Sequence, residues 1–170
     1  MLANSLKQIS TVGISPKSYN NKYGVPLSLF NLDQRNNYGV LEIGMDKKGE
    51  IDYLSKIVKP DVSVITNINY AHAKNFNNIK QIALAKSEII HNTKINGAVV
   101  LNADDNFYNL HKKIANKRKL RILSFSIDNQ NANIKLLSIK KINNKFKVTK
   151  IGRAHVRTPV TEKSRMPSSA

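Results

Sequence analysis

Val62-Ser63-Val64-Ile65-Thr66-Asn67-Ile68 and Ala98-Val99-Val100-Leu101-Asn102 are two short apolar runs. Between them, Ile79 to Ile90 repeats apolar residues at helical spacing. A helix between two strands carries the chain back to its starting edge, so the strands lie parallel. Continuous apolar strands fit a sheet covered on both faces. The same alternation extends outward. Ser10–Ile14 and Tyr38–Ile43 read as earlier strands and Arg121–Ser126 as a later one. Ile51, Leu54 and Ile57 form one face of a helix that Pro60 stops. Asp104 or Asp105 is placed to cap a helix with Phe107, Leu110 and Ile114 inward. From 133 to 150 the pattern changes. Ile134, Leu136 and Ile139 precede Asn143-Asn144, and Phe146 and Val148 follow, which reads as an antiparallel hairpin at the edge of a mostly parallel α/β sheet.

A chain of 170 residues supports one core, and the absence of cysteine excludes disulfides and thiolate metal sites and suits a reducing, cytoplasmic location. No apolar run reaches membrane-spanning length, so no membrane partner is expected. The formal charge of +17 raises the reading of a basic nucleic-acid-binding α/β module. Twenty-two of the 28 basic residues are Lys, and the chain holds 22 Asn. Both residue types follow from A/T-rich codons, and the charges are scattered, so a solvated basic surface without a nucleic-acid partner is preferred.

Three polar residues stand where apolar ones are expected. Glu42 falls at the end of the second strand, where open parallel sheets bind ligands and a carboxylate can hold a hard cation. A surface or capping Glu is the plain alternative. His72 lies four residues past Ile68 at the same sheet edge, and a structural histidine is its plain alternative. Lys86 lies within the stripe of Ile79, Ile82, Ala83, Ile89 and Ile90, an arc of roughly 120°. A lysine there must snorkel, pair or be modified. Carbon dioxide can convert a neutral amine into a carbamate, a carboxylate-like ligand. Glu88 and Lys80 read as solvated. Asn20 and Asn21 sit in a polar loop closed by Gly24, with Pro26 in the first turn of the next helix. No phosphate-cradling glycine loop occurs in the chain.

The stretches Ser18-Tyr19-Asn20-Asn21-Lys22-Tyr23-Gly24-Val25-Pro26-Leu27, Glu42-Ile43-Gly44-Met45 through Gly49-Glu50-Ile51, Thr66-Asn67-Ile68 with Ala71-His72, Ala85-Lys86-Ser87-Glu88-Ile89, and Leu101-Asn102-Ala103-Asp104-Asp105 occur in one order. Together they resemble the central, ATP-using domain of the Mur ligase family over residues 1–150. Gly49-Glu50-Ile51 points to the branch that adds D-alanyl-D-alanine to UDP-N-acetylmuramoyl-tripeptide. The resemblance implies a doubly wound, P-loop NTPase-like fold and ATP and Mg²⁺ as cofactors. It further implies a cytoplasmic monomer forming an amide through an acyl phosphate. Glu42 and His72 would then bind Mg²⁺, Lys86 would do so as a catalytic carbamate, Asn20 and Asn21 would lie near the UDP-substrate, and Asn67 near the nucleotide. The family's Gly-Lys-Thr loop is expected just before a helix like Met1–Gln8. The chain therefore reads as an internal fragment, inactive on its own. A folylpolyglutamate synthase-like ligase is the alternative within the same chemistry. Residues 151–170 resemble a translated sequencing adapter, an artefactual, disordered tail outside the fold, so His155 carries no weight.

Overall fold

The computed structural model describes residues 2–16, 18–70, 75–129, 131–142 and 145–152. In chain order the elements are α1 (Leu2–Leu6), β1 (Val12–Ile14), α2 (Gly24–Phe30), β2 (Tyr38–Val40), α3 (Glu50–Val58), β3 (Val62–Ile65), α4 (Ile79–Asn92), β4 (Ala98–Asn102), α5 (Tyr108–Lys117), β5 (Arg121–Ser126), β6 (Ile134–Ile142) and β7 (Lys145–Gly152). The α/β class and the parallel pairing agree with the sequence pattern. The parallel strands are divided between two sheets, however. β1 and β2 pair with each other alone, and the second sheet runs β3-β4-β5-β6-β7, parallel up to its antiparallel last strand.

The ends of β2 and β3 have hydrogen-bonding causes. β1 and β2 share three register pairs, Val12 with Tyr38 through Ile14 with Val40. Beyond Val40 the backbone turns to other partners: Glu42 N donates to Ser15 Oγ at 3.3 Å and Gly44 N to Asn20 O at 2.7 Å. The expected strand Tyr38–Ile43 therefore ends at Val40. β3 stops at Ile65, short of the expected Ile68, because Ile68 N donates to Asp105 Oδ2 at 2.8 Å. β1 begins at Val12, two residues after the expected Ser10.

The helices follow their apolar stripes. Ile51 and Leu54 of α3 are buried, and Lys59, in the left-handed region at φ 47°, ends the helix before Pro60. In α4, Ile82, Ala83, Ala85 and Ile90 are buried, and Asn78 Oδ1 caps the helix by accepting from Gln81 N. These side chains meet Ile65, Val99 and Leu101 of the strands and Ala115 and Leu120 around α5 in one core. A polar chain runs through it. Thr93 Oγ1 donates to Ile89 O at 2.9 Å, so Ser63, 2.5 Å from the same oxygen, is the donor of that pair.

Two expectations about acidic residues need correction. α5 has Phe107 at its N-cap without a side-chain cap. Asp105 acts one step earlier, accepting from Phe107 N at 2.8 Å, while Asp104 turns away to the loop after β5. Glu88 is not solvated: its carboxylate accepts from Gly49 N at 3.0 and 3.1 Å and from Asp52 N at 3.0 Å. Gly49, the N-cap of α3, has no side chain to accept from Asp52 N, and Glu88 of α4 supplies that oxygen from another element.

The hairpin is present as β6 and β7, with β6 parallel to β5. β7 continues through Gly152, two residues past the segment assigned to the fold by pattern. The Asn143-Asn144 turn and residues 153–170 lie outside the described residues.

Candidate functional site

Parallel strands followed by returning helices place the strand ends and the helix starts of each sheet at one rim. Ser15 and Glu42 follow β1 and β2 of the small sheet, and Thr66-Asn67 follow β3 of the larger one. Glu42 is exposed, and its Oε1 accepts from Asn20 Nδ2 at 3.0 Å. Asn20 O also accepts from Gly44 N, and a Cβ at residue 44 would lie 3.1 to 3.2 Å from the Asn20 amide and carbonyl. Gly44 thus permits the close approach that holds the amide against Glu42. Among the described residues Oε2 of Glu42 meets no protein donor, leaving an outward oxygen of the kind a hard cation takes.

Asn21 is used differently from Asn20. Its Oδ1 accepts from Tyr23 N at 3.1 Å and Gly24 N at 2.9 Å, and it organises the entry into α2. Only its Nδ2 is left for a ligand. Asn67 is exposed past β3, with Thr66 Oγ1 donating to its Oδ1 at 3.3 Å. His72 lies outside the described residues. Lys86 is half-buried on α4 between buried Ala85 and Ser87, and among the described residues no carboxylate pairs with it.

Packing ties the three neighbourhoods together. Ile43 and Met45 after Glu42, Ile68 and Phe76 on either side of His72, and Ile82, Ala83 and Ala85 before Lys86 belong to one apolar cluster. Asn75 Nδ2, three residues past His72, donates to Asp46 O at 2.9 Å. Glu50 steadies the same loop by accepting from Asp46 N at 2.6 Å and Lys47 N at 3.2 Å. The Asp46 bond, partly offset by burial and supported by the bond from Lys47 and nearby lysine charge, holds the Glu50 carboxyl below its ordinary pKa. Among the described residues no three His, Asp or Glu side chains converge as a ready metal cluster. Glu42 is thus a fitting oxygen ligand for Mg²⁺ that needs further ligands from elsewhere.

Two supporting residues act beyond what local spacing shows. Asp105 bridges Ile68 N and Phe107 N, fixing the chain after β3 to the start of α5. His111, 2% exposed, faces Ala83 O through Nε2 at 3.0 Å. A carbonyl only accepts, so Nε2 carries the proton. Burial, with a smaller contribution from the Lys86 charge, lowers its pKa against the opposing pull of Ala83 O and Asp105.

The Mur ligase middle domain model matches residues 1–164. UDP-N-acetylmuramoyl-tripeptide–D-alanyl-D-alanine ligase from Buchnera aphidicola subsp. Acyrthosiphon pisum is 36% identical over 141 residues, 83% of this chain and 28% of that protein. A crystal structure of MurF from Acinetobacter baumannii superposes with a TM-score of 0.79 at 30% identity, covering 88% of this chain and 32% of that one. MurF ligase from Thermotoga maritima, in complex with ADP, gives 0.73 at 29% identity, with 88% and 36% coverage. The chain spans roughly a third of the length of these relatives. No helix among the described residues is long and apolar enough to cross a membrane.

Proposed function

Since this chain belongs to the Mur ligase family, matching its middle domain over residues 1–164, we propose that it is the ATP-using part of a ligase joining UDP-N-acetylmuramoyl-tripeptide to D-alanyl-D-alanine. The named relatives favour this branch over a folylpolyglutamate synthase-like one. In the proposed reaction the tripeptide carboxylate takes the γ-phosphoryl group of ATP, releasing ADP. The dipeptide amine attacks the acyl phosphate, and phosphate leaves as the amide forms.

The observation that carries the reading is the shared cluster, in which residues flanking Glu42, His72 and Lys86 pack together. Glu42 and His72 would hold Mg²⁺, and Lys86, as a carbamate, would help hold a second Mg²⁺ and orient the γ-phosphate. When bound, Mg²⁺ supplies charge neutralisation on the phosphoryl oxygens. Asn20 keeps one Glu42 oxygen fixed by the hydrogen bond that its Nδ2 donates and leaves the other for the ion. Asn20 and Asn21, through the Asn21 Nδ2, lie on the loop that would face the UDP-substrate, and Asn67 would face the nucleotide.

Two measurements on the chain itself test this. Carbon-13 NMR under labelled bicarbonate should show one carbamate signal that Lys86→Ala abolishes. Mn²⁺, standing in for Mg²⁺, should broaden amide signals at 42–44 and 67–70 first, and Glu42→Gln should weaken that effect. An unchanged carbamate signal in Lys86→Ala, or broadening elsewhere that ignores Glu42→Gln, would sink the assignment.

A further inference from the structure

At the opposite rim the three helices α3, α4 and α5 end side by side. A cleft of about 290 Å³ opens between these ends, lined among others by Lys56, Lys59, His91, Lys94, Ile95 and Arg118. Asp52 pairs with Lys56 at 2.6 Å and Asp61 with Lys94 at 2.8 Å. Lys59 and Arg118 have no carboxylate partner among the described residues. Of the permanent charges on these residues four are positive and two negative, an excess of two.

Helix C-termini carry partial negative charge, which explains why cations gather here. That charge falls off within a turn, and the chain already meets much of it. Lys59 N donates to Ser55 O at the end of α3, and Arg118 N to Ile114 O at the end of α5. Arg118 Nη2 reaches Thr93 O at 3.4 Å, leaving its other guanidinium donors open. The cleft is at the small end for ligand sites, with room for a short phosphate chain rather than a whole nucleotide. Lysine and arginine stems and exposed Ile95 give it apolar walls below charged tips.

We propose that this cleft binds a short polyphosphate group, with Lys59 and Arg118 as its main contacts and Lys56 and Lys94 at its sides. The site is separate from the Glu42–Lys86 rim and stands whatever reaction the chain serves.

The probe is inorganic triphosphate, titrated into the ¹⁵N-labelled 170-residue chain at about 150 mM salt, where exposed charges are screened beyond roughly 8 Å. Saturable shifts should concentrate at residues 56–59, 91–95 and 118. Lys59→Asn combined with Arg118→Gln should weaken binding about tenfold. Asn suits the left-handed backbone at 59, so the fold is preserved. Lys112→Gln with Lys113→Gln removes the same charge from exposed α5 positions and should change little. ATP competing as well as triphosphate would name a nucleotide tail as the bound group, and competition by triphosphate alone would name free polyphosphate. Shifts spread over all basic surfaces, or equal weakening by both double variants, would overturn the proposal.

Discussion

Replacing Glu88 by Ala tests how the fold completes its helix starts. The wild-type carboxylate receives Asp52 N, the donor that a capping Ser or Asp at position 49 would serve, and Gly49 N, the donor that the acidic residue of a capping box would serve. Loss of a side-chain cap costs about 1 kcal/mol, up to about 2. The negative charge at a helix N-terminus adds about 0.3–1 kcal/mol. Ala is the better helix former within α4, which returns a few tenths. The expected net loss is about 1–2.5 kcal/mol, a melting-temperature fall of about 2–10 °C for a chain of this size. Glu88→Gln keeps an acceptor and loses the charge, so about half of that loss is expected. Urea unfolding by circular dichroism, with equal m-values, measures the difference. Hydrogen exchange at Gly49 and Asp52 locates it, since both amides should lose protection in the Ala variant. Lys80→Ala, at an exposed position on α4, serves as a control and should stay within about 0.5 kcal/mol. A Glu88→Ala chain as stable as the control, with the Asp52 amide still protected, would refute the tertiary cap.

His111 makes stability depend on pH. Burial first, with Lys86 assisting, lowers its pKa below the unfolded value of about 6.5. Its contribution is therefore complete above about pH 6.5 and is lost as pH falls toward the lower folded value, because the unfolded chain takes the proton first. His111→Phe should give a smaller loss of urea midpoint over this window than wild type, and parallel curves would contradict it. Gly97 has backbone on two sides: a Cβ would lie 2.6 Å from Asp61 O and 2.8 Å from Lys94 O. Gly97→Ala should cost about 2–3 kcal/mol, read from thermal unfolding, and a loss below about 0.5 kcal/mol would show that the turn yields freely.

What the chain carried in its sequence was whatever depends on spacing along itself. The stripe of α4, the apolar runs of β4 and β5, the stop at Pro60 and the hairpin tendency after residue 133 are local patterns, and the elements stand there. Glu42 and Lys86 stood out for the same reason, as polar groups at the end of or within an apolar period. Folding decided which backbone groups found which partners. β2 ends at Val40 because Ser15 and Asn20 take the next amides, and β3 ends at Ile65 with Asp105 holding Ile68 N. Asn20 serves Glu42 while its neighbour Asn21 serves α2. Glu88, polar and unremarkable on its own helix, completes α3 from 36 residues away. A hydrogen bond between distant segments depends on the distance between donor and acceptor in space, and no period in the sequence encodes that distance.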